Sequence, residues 1–134
     1  MKERELIQKF VNILSEIDGS TAISATDFTE EREANMIVVG IESTTQVNPL
    51  LPDYEYRVSI VVDCFIDSDE DGEIFRGIHK EVRRILDEYV NKEKPLESMY
   101  EEIPVVGMFP ETETETIDDK SNRVTMTYRV IASF

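Results

Sequence analysis

Tyr54-Glu55-Tyr56-Arg57-Val58-Ser59-Ile60-Val61-Val62-Asp63-Cys64-Phe65-Ile66 alternates almost without fault, with Tyr54, Tyr56, Val58, Ile60, Val62, Cys64 and Ile66 on one parity. Val124, Met126, Tyr128, Val130, Ala132 and Phe134 repeat the pattern. A pleated strand turns successive side chains to opposite faces, so a period of two predicts half-buried antiparallel strands at 54–66 and 124–134. Each closes a similar block, in which an amphipathic helix and a shorter strand come first.

Working outward, Leu6, Phe10 and Leu14 step by four, with Ile7, Val11 and Ile17 beside them, which predicts a helix from Glu3 to Ile17. Asp18-Gly19 ends it, glycine being free to take the left-handed cap conformation. Ala22 to Phe28 reads as a short edge strand, Glu30 to Glu33 as a polar turn, and Met36 to Glu42 as a strand apolar on both parities. The connection from Ser43 to Asp53 contains Pro49 and Pro52, which resist a ladder, yet it carries Val47, Leu50 and Leu51. After an acidic joint, Asp67 to Asp71, a second helix is predicted from Gly72 to Asn91. Its stripe is Ile74, Ile78, Val82, Ile85 and Tyr89, widened by Phe75, Leu86 and Val90. Acids at its start and Lys92 and Lys94 at its end suit the helix dipole, and Pro95 marks the stop. Ile103 to Phe109 reads as another short strand between Pro104 and Pro110, and a polar stretch, Glu111 to Asn122, leads to the last strand. The predicted fold is a single α+β domain over 1–134. It has an antiparallel sheet of four to five strands, with two helices packed on one face in α-β-β-α-β-β order.

The net charge of −15 excludes a protein that grips a nucleic-acid backbone through clustered Lys and Arg, and it excludes docking on anionic lipid. With 40% apolar and 32% charged residues the composition is globular rather than disordered. No apolar stretch approaches the ~20 residues needed to span a bilayer. Lys2-Glu3-Arg4-Glu5 mixes signs ahead of a helix, so no secretory signal is read there. Cys64, the single cysteine, falls on the inward parity, which fits a cytosolic, reducing environment.

Chemical motifs are sparse. Asp67-Ser68-Asp69-Glu70-Asp71-Gly72 matches the first half of a calcium-binding EF-hand loop, with Asp67, Asp69 and Asp71 at ligand positions. The match fails where Ile78 replaces the bidentate glutamate and where a strand, not a helix, comes before it. The competing reading makes the segment a cap, with Ser68, Asp69 or Asp71 accepting from free N–H groups of the second helix. His79, the single histidine, has no partner evident in sequence and reads as a boundary residue. The five glycines, at 19, 40, 72, 77 and 107, form no phosphate-binding pattern. No enzyme, cofactor or metal site is predicted. Glu111-Thr112-Glu113-Thr114-Glu115-Thr116 reads as a solvated hairpin arm or a charged projection.

Two helices cover one face of such a sheet, and the other face is not uniformly polar: Val61, Phe65 and Ile131 lie off the core parity. With Val47, Leu50, Leu51, Met108 and Phe109 outside the predicted core, self-association is expected, and Val47, Leu50, Leu51, Val61, Phe65, Met108 and Phe109 are the candidate subunit contacts. Loops folding back over the sheet are the alternative.

The order of elements resembles the phage tail terminator and tail completion proteins. It is carried by Asn48-Pro49-Leu50-Leu51-Pro52-Asp53-Tyr54 and the strand after it, the helix 72–91 and the closing pair 103–134. The resemblance lies in element order over nearly the whole chain, not in a diagnostic motif. It implies a non-enzymatic structural protein of the virion, a ring (a hexamer in that family) that joins tail tube to head-completion proteins while DNA passes through without specific binding. Glu111, Glu113, Glu115, Asp118 and Asp119 would then form an acidic lumen or arm that repels the DNA backbone. The rival from another class is an acidic DNA-mimic inhibitor of a basic nucleic-acid enzyme. A calcium-responsive module and a hydrolase rank below both.

Overall fold

The two alternating segments lie side by side at the middle of one sheet. The computed structural model describes residues 2–29, 34–47, 50, 53–91 and 105–133. These form strands β1 (Thr21–Ser24), β2 (Met36–Gln46), β3 (Asp53–Phe65), β4 (Val105–Ile117) and β5 (Ser121–Ser133), with helices α1 (Lys2–Leu14) and α2 (Glu73–Val90). The strand order is β1-β2-β3-β5-β4, so β5 is inserted between β3 and its own hairpin partner. The α+β class and the two helices are as the sequence predicts. The expected fully antiparallel sheet is not: β1 pairs with β2 in parallel, Thr21 opposite Met36 and Ser24 opposite Val39, while the other pairs are antiparallel.

Register carries the inward parity across the sheet. Ile37, Val62 and Val124 align, as do Val39, Ile60 and Met126. These pack with Leu6, Phe10, Leu14 and Ile17 from the first helical segment and with Phe75, Ile78, Val82, Ile85, Leu86 and Tyr89 of α2. Cys64 is fully buried among them. Each large side chain withdrawn from water here contributes about 1.5–3 kcal/mol. α1 sits over β1 and β2, and α2 over β3, β4 and β5.

Element ends differ from the sequence reading for local reasons. α1 stops at Leu14 rather than Ile17. The Ser15 hydroxyl donates back to the Val11 carbonyl, the Ile17 N–H donates to Leu14, and Gly19 turns the chain at φ +83°. Ile17 is still buried, from the turn. The edge strand expected at Ala22–Phe28 is four residues long and passes into a 3-10 turn at Ala25–Asp27. β2 runs beyond Glu42 to Gln46, with a bulge between Ile41 and Ser43. The polar run from Glu111 is itself strand: β4 continues to Ile117, and Asp118 turns the chain by accepting from the N–H groups of Lys120 and Ser121 at 2.8 and 2.7 Å. Those two donors hold the Asp118 carboxyl below its usual range. The predicted turn at Glu30–Glu33, Pro49, Leu51, Pro52, Lys92, Lys94, Pro95, Ile103, Pro104 and Phe134 lie outside the described residues.

Candidate interaction surfaces

The sheet face turned away from the helices has two regions. Toward the start of β3 it is charged. Arg57 and Arg129 are direct cross-strand partners, a repulsive placement by itself. Each has its own acid: Arg57 meets Glu111 at 2.9 Å, and Arg129 grips Glu55 through two N–H donors at 2.9 and 3.2 Å. The Arg129 hydrogen bond keeps the Glu55 carboxyl below its usual range. Further along, Arg123 donates twice to the fully buried Asp63, at 2.7 and 3.1 Å.

Toward the other end the face is apolar. Met36 and Val38 are buried, and Ile23, Val61 and Phe65 are half-buried beside them. The 3-10 turn after β1 covers part of this region. An added Cβ at Gly40 would stand 3.1 Å from the Ala25 Cβ, so glycine there lets the turn lie against the sheet. A shallow hollow of about 220 Å³ remains, bounded by Ala25, Val38, Ser59 and Val61 among others. One short turn thus lies against this part of the sheet.

The predicted contact residues divide. Val47, Leu50 and Phe109 are exposed, Leu50 at 89%. Val61 and Phe65 are half-buried on the uncovered face. Met108 is corrected to a core residue: a register irregularity between Val105 and Gly107 turns it toward the helices, and it is 3% exposed. Phe109 points the other way, and its ring lies across Gly107, 2.8 Å from where a Cβ would stand. Leu51 lies outside the described residues.

The arm is less free than its sequence implies. β4 pairs Glu113 with Met126 and Glu115 with Val124, so these acids share the helix side of the sheet. There His79 and Arg83, one turn apart on α2, both bond the Glu113 carboxylate. Burial pushes the Glu113 carboxyl up, but Arg83 and His79 outweigh it and hold the group below the ordinary value. Glu115 stands 3.8 Å from the other ring nitrogen of His79. With Glu111 on Arg57 and Asp118 in its turn, Asp119 and the outer part of Glu115 carry the arm's outward charge. The spacing of His79 and Arg83 beside the α2 stripe was a signal for an acidic partner. Nothing local says that the partner comes from a strand more than thirty residues on.

The half-match to a calcium loop resolves into a helix start. Both carboxylate oxygens of Asp69 are engaged, accepting from the Ile74 N–H at 2.8 Å and the Phe75 N–H at 2.9 Å. Asp71 and Gly72 take left-handed backbone angles, φ +60° and +70°, to bring the chain round. Among the described residues, no group of three or more His, Cys, Asp or Glu side chains converges as a metal site. No described helix is long and apolar enough to cross a membrane. No protein-family model matches the chain, and no curated protein matches it.

Proposed function

We propose that the protein is a non-enzymatic structural subunit of a tailed phage or prophage, closing into an oligomeric ring that caps or completes the tail tube at the head–tail junction. One observation carries the reading. The helices share one face of the sheet, while the opposite face keeps Val61, Phe65 and Ile131 half-buried and Phe109 exposed. Apolar side chains at both ends of a charged ladder, Ile131 opposite Glu55 and Phe109 opposite Arg129 at one end and Val61 and Phe65 at the other, are what a second subunit covers in a ring. Among the described strands β4 is an outer edge, whose backbone donors and acceptors a neighbouring subunit could meet and whose threonines and glutamates discourage promiscuous pairing. The net charge of −15 keeps passing DNA from adhering.

Light scattering over a range of concentrations, with and without purified tail tubes, tests the proposal. A ring, free or seated on tubes, with no retention of duplex DNA is the expected result. A monomer that ignores tubes and binds a basic nuclease, the complex dissolving as salt rises, would replace the proposal with the DNA-mimic reading.

A further inference from the structure

We propose that the groove between the end of α1 and the first half of α2 docks a basic amphipathic helix of a partner protein, seating its apolar face over Gly77. This does not rest on ring formation, because the groove lies in the helix layer, away from the uncovered sheet face. Its volume is about 430 Å³. Ile17 and Ile78 make a buried floor, and Ile74 stands beside them 44% exposed, an aliphatic side chain left in water on a helix otherwise well packed.

Gly77 is the second observation. It lies inside α2, where glycine is among the poorest helix formers. Its φ is not positive. Among the described residues, nothing comes within 4 Å of where its Cβ would stand. Neither backbone conformation nor packing against the described residues calls for glycine here. Close approach of another backbone or side chain to α2 does.

Charge decides the occupant. Glu16, Asp18 and Glu81 rim the groove. The first two follow the C-terminus of α1, where the helix dipole is already negative and the last turn holds no base. Lys80 stands near Glu81, and a second cation, Arg84, is engaged by these acids. It donates to Glu81 at 2.9 Å and to Glu88 at 3.1 Å, and its charge is further favoured by Glu16. Against Glu16, Asp18, Glu81 and the neighbouring Glu88, one guanidinium and one ammonium leave the rim negative. Lysines or arginines flanking an apolar helix face complement it, in the helix-in-groove manner. A second copy of a chain with net charge −15 fits this rim poorly.

The test titrates the full chain with a fluorescent two-heptad Leu/Lys helix, with a Leu/Glu helix as the charge-reversed control. The Leu/Lys helix should bind and the Leu/Glu helix should not. Gly77→Leu fills the groove and should weaken binding by about tenfold or more. Asp18→Lys should weaken it and reduce its salt dependence. Glu42→Lys, the same charge change beside the hollow on the opposite sheet face, should alter affinity by less than about twofold. If Gly77→Leu does not fold, Ile74→Asp at the exposed wall should give the same loss. Unchanged binding by the groove variants overturns the proposal. So does an equal loss in Glu42→Lys, which would mean nonspecific attraction to an acidic protein. A dimer that Gly77→Leu abolishes would make a second copy the occupant and overturn it as well.

Discussion

Asp69 shows how one side chain settles between two chemistries. As a ligand it needs its oxygens turned to an ion; here both are spent on the first free N–H groups of α2, and the residue is 5% exposed. Asp69→Ala should destabilise the fold by about 1–3 kcal/mol, because two donors are stranded at a buried helix start. Thermal melting measures this, with Asp67→Ala, at an exposed position, as the near-neutral reference. Glu113 gives a pH signature. Its folded carboxyl titrates below the ordinary 4.5, so its contribution is complete above that value and is lost as pH falls through the lower, folded value. Acid melting curves should therefore fall more steeply for the parent than for Glu113→Gln, which lacks the charged pairing at every pH. The cap was legible in the sequence because it is local. The Glu113 pairing was not, since it depends on the register of a strand distant in the chain.

At the scale of elements, clean periods were read correctly and broken ones were not. β3 and β5 alternate without a fault, and their parity is the core parity of the structure. The bulge after Ile41 hid the second half of β2, because Ser43 to Gln46 no longer continue the alternation. The irregularity between Val105 and Gly107 falls inside the short strand read as apolar on both parities, and it misplaced Met108. β1 has four residues, too few to show a period or to declare its parallel direction. In α2 the glycine at 77 is a removable weakness. Gly77→Ala should raise stability by about 0.5–1 kcal/mol, seen as a higher denaturant midpoint with an unchanged slope. A decrease would mean that the alanine methyl meets an obstacle the open space around Gly77 does not contain.

For the whole molecule, two helical stripes and two alternating strands were enough to predict an α+β domain with its helices on one face. The opposite face, where Val61 and Phe65 are half-buried, is where the proposed ring contacts would lie. Leu50 offers a direct probe, being 89% exposed between β2 and β3. Leu50→Asp should leave melting and far-UV circular dichroism unchanged and abolish ring formation on tail tubes. Roughly 1.5–3 kcal/mol of transfer free energy is lost at each contact, and desolvating a carboxylate adds to it. A variant that still assembles, as judged by light scattering, removes this loop from the interface. The strand order carries a further consequence, for synthesis rather than for the finished fold. Because β5 separates β3 from β4, and Asp53 meets Ser133 across that junction, the sheet cannot close while the polypeptide is still being extended through β4. Until β5 emerges, β4 has no strand partner among the described elements and β3 lacks its neighbour on that side. Nascent chains should be vulnerable to proteases and reliant on chaperones over that interval, and acquire resistance abruptly when the closing strand arrives.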